Sequence, residues 1–425
     1  MERNKSLKQF YILWSTQSLS HLGSAMTSFA LTLWLYEKTG SALSTAALMI
    51  CTYAPYVVMS IFAGALSDKF DKRKTMLVCD ALAALTTVLV FILYRTDLLS
   101  MWHLYAVNVV SGLMNTVQQP ASEVANTLVV PKEYYQKASA LQSLSRSAVN
   151  IGTPLIASAL YGLAGLDAVI AVDLVTFTVA FLALLLFIRL PAVGRETGKE
   201  EKVLKLAREG LCFLKDHRLV LDVILFMAGV NLVASAFDAV LPALVIPQHG
   251  DSIYGIVTSC AGVAMVLGSM LMTVMPKPKD RVRVIYLTML FSLGTENFLL
   301  AFSRSPVVWC IGQVIGWILV PVMSANENVI LRSSIPVELQ GRVYACRNTL
   351  QFFTIPIGLA LGGFMVDNVC EPFMSMNGSN GFLTMLFGSG KGSGAALMMF
   401  ILGAAGAVLC LVTGQRLKRY RFTEQ

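Results

Sequence analysis

Twelve apolar stretches, each about as long as a bilayer-crossing helix, restrict what this chain can become. They run over 10–36, 43–66, 75–94, 101–117, 138–163 and 168–190, then 219–245, 252–275, 284–302, 307–330, 343–366 and 394–412. A membrane barrel would show short alternating segments instead. Continuous runs predict an all-α polytopic membrane protein. Only 14% of residues are charged and 56% are apolar, whereas soluble domains carry about 25% charge. That balance excludes a soluble surface, and the hydrophobicity excludes a disordered chain.

An even number of spans puts both ends on one side, and the cations show which. Of 33 Lys and Arg, only Lys38, Arg95, Arg304 and Lys391 fall in loops on the opposite side, and Arg146 and Arg347 fall inside spans. The others lie in the N-terminal segment, the alternate loops and the tail, which marks that side as cytoplasmic. The expectation is a multi-pass protein of the cytoplasmic membrane, both termini inside, with basic loops meeting anionic lipid headgroups. No basic face with aromatic platforms suggests nucleic acid. The first apolar run is too long for a signal peptide and has no small-residue cleavage site, so it reads as a retained span. The eight cysteines include no C-x-x-C pair and the four histidines are scattered, so neither a metal nor a cofactor is expected.

The longest charged connection, 191–218, contains VLKLAREGLCFL, with apolar residues at helical spacing. It predicts an amphipathic helix on the cytoplasmic membrane surface. The chain is thus expected to hold an N-terminal six-helix bundle (1–190), a cytoplasmic linker with that helix (191–218) and a C-terminal six-helix bundle (219–425). The halves are weakly similar. VPKEYYQKASALQSLS at 130–145 aligns without a gap with IPVELQGRVYACRNTL at 335–350, matching Pro131 with Pro336, Glu133 with Glu338, Lys137 with Arg342 and Ala140 with Ala345. Both segments join the fourth span of a half to its fifth, as in a pseudo-symmetric transporter built from parallel repeats.

The second span runs into Gly64-Ala-Leu-Ser-Asp-Lys-Phe-Asp-Lys-Arg-Lys74. This loop resembles the signature G-x-L-x-D-R-x-G-R-[KR] of the major facilitator superfamily, with Lys69 in place of Arg and Asp71 in place of Gly. Leu35-Tyr-Glu-Lys-Thr-Gly-Ser41, Gln119-Pro-Ala121, Val130-Pro-Lys-Glu133, Gly152-Thr-Pro154 and Pro336-Val-Glu-Leu-Gln-Gly-Arg-Val343 extend the likeness. Together they look most like the bacterial macrolide-efflux and siderophore-exporter branch. Two departures stand out. The fourth span reads Asn108-Val-Val-Ser-Gly-Leu-Met-Asn115 without the buried Arg of many antiporters, and Thr153 separates Gly152 from Pro154 in the fifth-span gating motif.

The resemblance implies a conformational latch of Gly64, Asp68, Lys72, Arg73, Glu123 and Arg342. Asp68 would meet the positive N-terminal end of span eleven near Gly341–Val343, and Lys72 or Arg73 would pair with Glu123. Asp68 also reads simply as a headgroup-level residue beside its own basic loop. Gly152 and Pro154 are the gating candidates.

Ionisable residues inside spans are costly and functional by default. The family's cavity is lined by spans one, four, seven and ten, so the resemblance favours His21, Asp238 and Glu327 as proton-coupling candidates. Each reads equally as a hydrogen-bonded packing residue. Asp173 and Glu296 read as structural. Arg146 and Arg347 either neutralise an acid or receive an anionic substrate group. Further cavity candidates are Gln17, Asn115, Gln118, Asn231, Phe237 and Asn326.

The GSGKGSG run at 388–394 lacks the P-loop spacing and a Ser/Thr after its Lys, so no ATP-driven pump is read. Nor does any catalytic cluster suggest an enzyme. The leading expectation is a monomeric secondary active transporter that exports drug- or macrolide-like amphipathic small molecules by alternating access, with proton antiport. A siderophore, peptide or lipid exporter or flippase of the same fold is the alternative, and a transporter-like membrane receptor is the alternative from another class.

Overall fold

The computed structural model describes residues 2–69, 71–130, 134–188, 203–276, 278–377, 381–417 and 419–420. Among them every regular element is helical. In chain order these are α1 (Glu2–Thr39), α2 (Ala42–Lys69), α3 (Lys72–Arg95), α4 (Met101–Val129), α5 (Tyr135–Leu186), α6 (Val203–Asp216), α7 (Arg218–Val274), α8 (Arg281–Phe302), α9 (Pro306–Ile318) and α10 (Val320–Ser334). Then follow α11 (Val337–Phe352), α12 (Thr354–Met365), a π-turn (Val366–Cys370), α13 (Glu371–Met376), α14 (Gly381–Phe387) and α15 (Ser393–Leu417).

Eight helical runs among the described residues are long and apolar enough to cross a membrane. Two of them, Lys137–Leu186 and Arg218–Val274, have 50 and 57 residues, about twice one span. Each is interrupted by a single glycine, Gly165 (φ 73°, ψ −176°) in α5 and Gly250 (φ 78°, ψ 178°) in α7. That backbone conformation is open almost only to glycine, so one residue kinks the chain and divides each run into two helices. α1 and α4 have the length of a span but are less apolar. They carry the polar series Gln17, Ser18, Ser20, His21, Ser24 and Asn108, Asn115, Gln118, Gln119.

Other breaks come from proline, which lacks an N–H and clashes with the carbonyl four residues earlier. Pro321 accompanies the break between α9 and α10 at Leu319, and Pro356 that between α11 and α12 at Phe353.

The chain divides into two compact units, Met1–Leu35 with Cys51–Glu200 and Tyr36–Ile50 with Glu201–Gln425. In the first, Leu13, Met76, Ala121, Ala125 and Leu184 bring α1, α3, α4 and α5 into one apolar cluster. Gly112 of α4 lies against the backbone of Thr52 in α2, a close approach that a small residue permits. In the second unit α7 is the most buried helix, with α9 and α12 packed along it and α8 against α15. The linker helix α6 does not stand apart from it. Phe213 and Leu214 join Ile224, Leu331, Val343 and Cys346 in one cluster, and Gly210 lets α6 touch the backbone of Arg342.

Candidate functional site

The first unit gathers polar side chains from four helices. Gln17 of α1 and Gln118 of α4 both donate to the Asp80 carboxylate of α3, at 3.3 and 2.5 Å. Two expected cavity residues are therefore held by one acid of α3. Asp173 accepts from Ser24 at 2.9 Å, and Gly23 leaves room for Asp173 and Thr176 against α1. His21 is exposed and feels the charge of Arg146, also exposed. Asn115 is exposed as well. Gly152 is half-buried, where a Cβ would stand in ordinary contact with Ile156 at 3.5 Å and Leu22 at 3.8 Å, and Pro154 is buried within the continuing helix α5.

The second unit holds a denser constellation. Arg347 of α11 lies 3.2 Å from Glu327 of α10 and donates through Nε to Gln351 Oε1 at 2.9 Å. Asn231 of α7 donates to the Gln351 carbonyl at 2.9 Å, and Thr354 to that of Ala228 at 2.8 Å. Three helices are thus joined through two cavity candidates and one proton-coupling candidate. Glu327 is only 2% exposed, and its Oε1 receives no aligned hydrogen bond although the guanidinium is close. Gln351 escaped sequence reading because an isolated Gln in an apolar run carries no spacing signal.

Asp238 has a different setting. Every residue from Val233 to Val245 is buried or half-buried except Asp238, which is exposed. A carboxylate within a span is costly, which makes such a residue a candidate for function. Two neighbours expected to line a cavity, Phe237 and Asn326, are buried here. Phe237 is 4% exposed and packs into the core of the unit. Asn326 is 1% exposed and accepts from Arg281 at 2.9 Å, because Arg281 is itself buried and needs an acceptor.

The latch candidates are only partly visible. The side chains of Gly64, Asp68 and Glu123 lie outside the described residues. Lys72 is half-buried. Arg73 donates to the Leu184 and Leu185 carbonyls at 3.3 and 2.6 Å, capping carbonyls that the end of α5 leaves without helical partners. Arg342 forms an ion pair with Glu209 of α6.

One contact had no counterpart in the sequence reading. Asp367, in the π-turn after α12, accepts from Ser41 Oγ at 2.6 Å and from the Ala42 and Leu43 N–H groups at 3.0 and 2.9 Å. It thereby caps the first turn of α2, whose N–H groups have no partner within the helix. Gly363 brings α12 against the Leu43 backbone, and Ala46 packs with Ala239 and Leu359. At the cytoplasm-proximal end expected for α7, Asp222 is tied to Arg416 at 2.9 Å and to Tyr420 at 2.8 Å. No group of His, Cys, Asp and Glu able to hold a metal occurs among the described residues.

Comparison with known proteins agrees with this architecture. The chain is 25% identical over 377 residues to macrolide efflux protein A of Streptococcus pyogenes, covering 87% of this chain and 92% of that one. It is 24% identical over 359 residues to the multidrug efflux pump Tap of Mycolicibacterium fortuitum, covering 81% and 86%. Among solved structures, a bacterial homologue of the human lysosomal transporter Spinster, in an inward-facing conformation, superposes with TM-score 0.68 at 15% identity over 99% of each chain. A POT family transporter in complex with 5-aminolevulinic acid gives 0.72 at 12% identity over 97% and 96%. The model of the Major Facilitator Superfamily matches residues 13–277. With that match covering more than half its length, the chain belongs to the Major Facilitator Superfamily and resembles its macrolide-efflux branch.

Proposed function

We propose that this transporter exports amphipathic small molecules across the cytoplasmic membrane by alternating access, driven by inward proton movement. The likeness to macrolide and multidrug efflux proteins supports export. The observation that carries proton antiport is the presence within spans of two carboxyls in different settings, the exposed Asp238 and the buried Glu327 beside Arg347. A carboxylate on a low-dielectric hollow attracts either a proton or a cationic amine, and the competition between them is the exchange that antiport needs. The Lys/Arg distribution supports cytoplasmic termini. A second reading, export of anionic compounds such as siderophores, rests on the exposed Arg146 beside His21.

The test uses cells expressing the protein and labelled erythromycin, ethidium and a catecholate siderophore. Reduced accumulation of the first two, abolished by a proton uncoupler, is the expected result. Uncoupler-insensitive export refutes proton coupling, and export of the siderophore alone selects the second reading.

Alternating access also needs each end of the transport path to close and release. In the orientation proposed here the Asp367 cap on α2 lies at the outer end and acts as the clasp there. The Asp68 motif and Arg342 serve the inner end, where α6 holds Arg342 through Glu209. A helix cap contributes about 0.5–2 kcal/mol, so Asp367→Ala should favour the released state by roughly 2- to 30-fold. The readout is outer-side thiol labelling of an Ala46→Cys variant in a background lacking the eight native cysteines. Ala46 is 1% exposed, so its labelling reports release. Unchanged labelling refutes the clasp.

A further inference from the structure

We propose that Cys260 of α7 and Cys310 of α9 close a reversible disulfide, which fixes α9 along α7 and slows transport. The effect on transport rests on the export reading above, whereas the bond itself does not.

Helix register brings the two thiols together. α9 packs along α7, and Gly268 marks the level at which they meet. A Cβ on Gly268 would collide with the Ile318 carbonyl and stand 3.2 Å from Pro321 Cδ. Cys260 precedes Gly268 by eight residues, and Cys310 precedes Ile318 by eight. Eight residues are about two helical turns, or 12 Å, so each cysteine shares a face with the contact below it. As the eighth and tenth expected spans, the two segments run in the same direction. The matching intervals therefore set Cys260 opposite Cys310, and the two thiols are hydrogen-bonded to each other.

Between the two levels stands Ala264, fully buried. Cys260-x-x-x-Ala264-x-x-x-Gly268 is a series of small side chains that lets the backbones approach. A disulfide needs that closeness, since the Cα atoms stand about 4.4–6.8 Å apart across it.

Both thiols are half-buried, and Ile256, Val263, Val307 and Ile311 beside them are exposed. The pair thus borders the apolar surface that meets lipid, within reach of an uncharged oxidant dissolved in the bilayer. The oxidant is a two-hydrogen acceptor of the quinone or azo class. Each thiol gives up one hydrogen, with its proton and electron, and the S–S bond forms. The acceptor takes both hydrogens and becomes the hydroquinone or hydrazine. A dithiol reverses the step by exchange.

The consequence for transport comes from the break at Leu319, which separates α9 from α10 with its Asn326 and Glu327. The Gly268 contact lies beside that break, and α9 can pivot about it. A bond at Cys310, two turns away, adds a second fixed point and removes the pivot.

The test uses the full-length protein in lipid vesicles treated with diamide, an uncharged azo oxidant. Peptide mass spectrometry is expected to find Cys260 joined to Cys310, with the joined peptide lost on adding dithiothreitol. Closing this loop should raise the melting temperature by roughly 4–16 °C. Efflux of radiolabelled erythromycin should fall roughly tenfold with diamide and recover with dithiothreitol. Cys260→Ala should keep efflux within about twofold of untreated wild type in both conditions. Should that variant not assemble, Cys310→Ser is read in its place. Absence of the joined peptide overturns the proposal, and so does a joined peptide with efflux unchanged. Untreated wild type that exports no erythromycin refutes the export reading instead, and the joined peptide still decides the bond.

Discussion

Arg347→Ala is expected to destabilise the protein by about 3–5 kcal/mol, because it strands a buried acid. Glu327 is 2% exposed and Arg347 is the cation beside it, at 3.2 Å. The same change releases Gln351, whose side chain accepts from Arg347 and whose carbonyl accepts from Asn231. The contact among α7, α10 and α11 then loses its polar link. For a large chain each kcal/mol corresponds to about 2–4 °C, so the melting temperature in detergent should fall by roughly 6–20 °C. Glu327→Gln should cost less, since the Arg347 side chain is 18% exposed and retains Gln351. The double variant Arg347→Gln with Glu327→Gln should recover most of the loss by removing both charges together. A single Arg347→Ala variant that melts like wild type would show that the pair contributes nothing.

Gly362→Val is expected to be at least as damaging, through packing alone. A Cβ at Gly362 would stand 2.5 Å from the Ala236 carbonyl oxygen and 2.8 Å from its Cα. Gly358, one turn earlier, meets the backbone of Leu232 in the same way. This stripe presses α12 onto α7, and the opposing atoms are backbone, which cannot rotate aside. Overpacking of a core costs about 1–3 kcal/mol where side chains can adjust, and here they cannot. Little monodisperse protein should be recovered, measured by size-exclusion chromatography after extraction. Gly363→Ala should behave differently. Its Cβ would meet Leu43 of the clasp at 2.6 Å, so it should loosen α2 from Asp367 while leaving the α7–α12 contact intact. Gly381→Ala, with nothing within 4 Å, serves as the neutral control. Normal recovery of Gly362→Val would refute the packing argument.

The two predictions differ in how far the sequence reveals them. Arg347 and Glu327 stand out as ions within apolar runs, so each announces itself. Their pairing does not, because they lie on different helices. Gly358 and Gly362 show a spacing of four, but the partner helix is not written beside them. Asp367 is less visible still. It reads as an ordinary polar residue ending a span, and its partners Ser41, Ala42 and Leu43 are more than 320 residues away.

Helical class, membrane setting and family were legible because they depend on local quantities. Apolarity per twenty residues, loop charge and the Gly64–Lys74 motif each occupy a short window of chain. Gly165, Gly250, Pro321 and Pro356 break helices through their own backbone, yet the apolar runs 307–330 and 343–366 read as continuous because hydropathy does not register such breaks. Which acid faces which donor is a different kind of information. Asp80 with two glutamines, Phe237 and Asn326 turned into the core, and Glu209 on Arg342 all follow from the rotation and stagger of helices distant in sequence. Those are set by the summed packing of many side chains, so only the folded arrangement determines them.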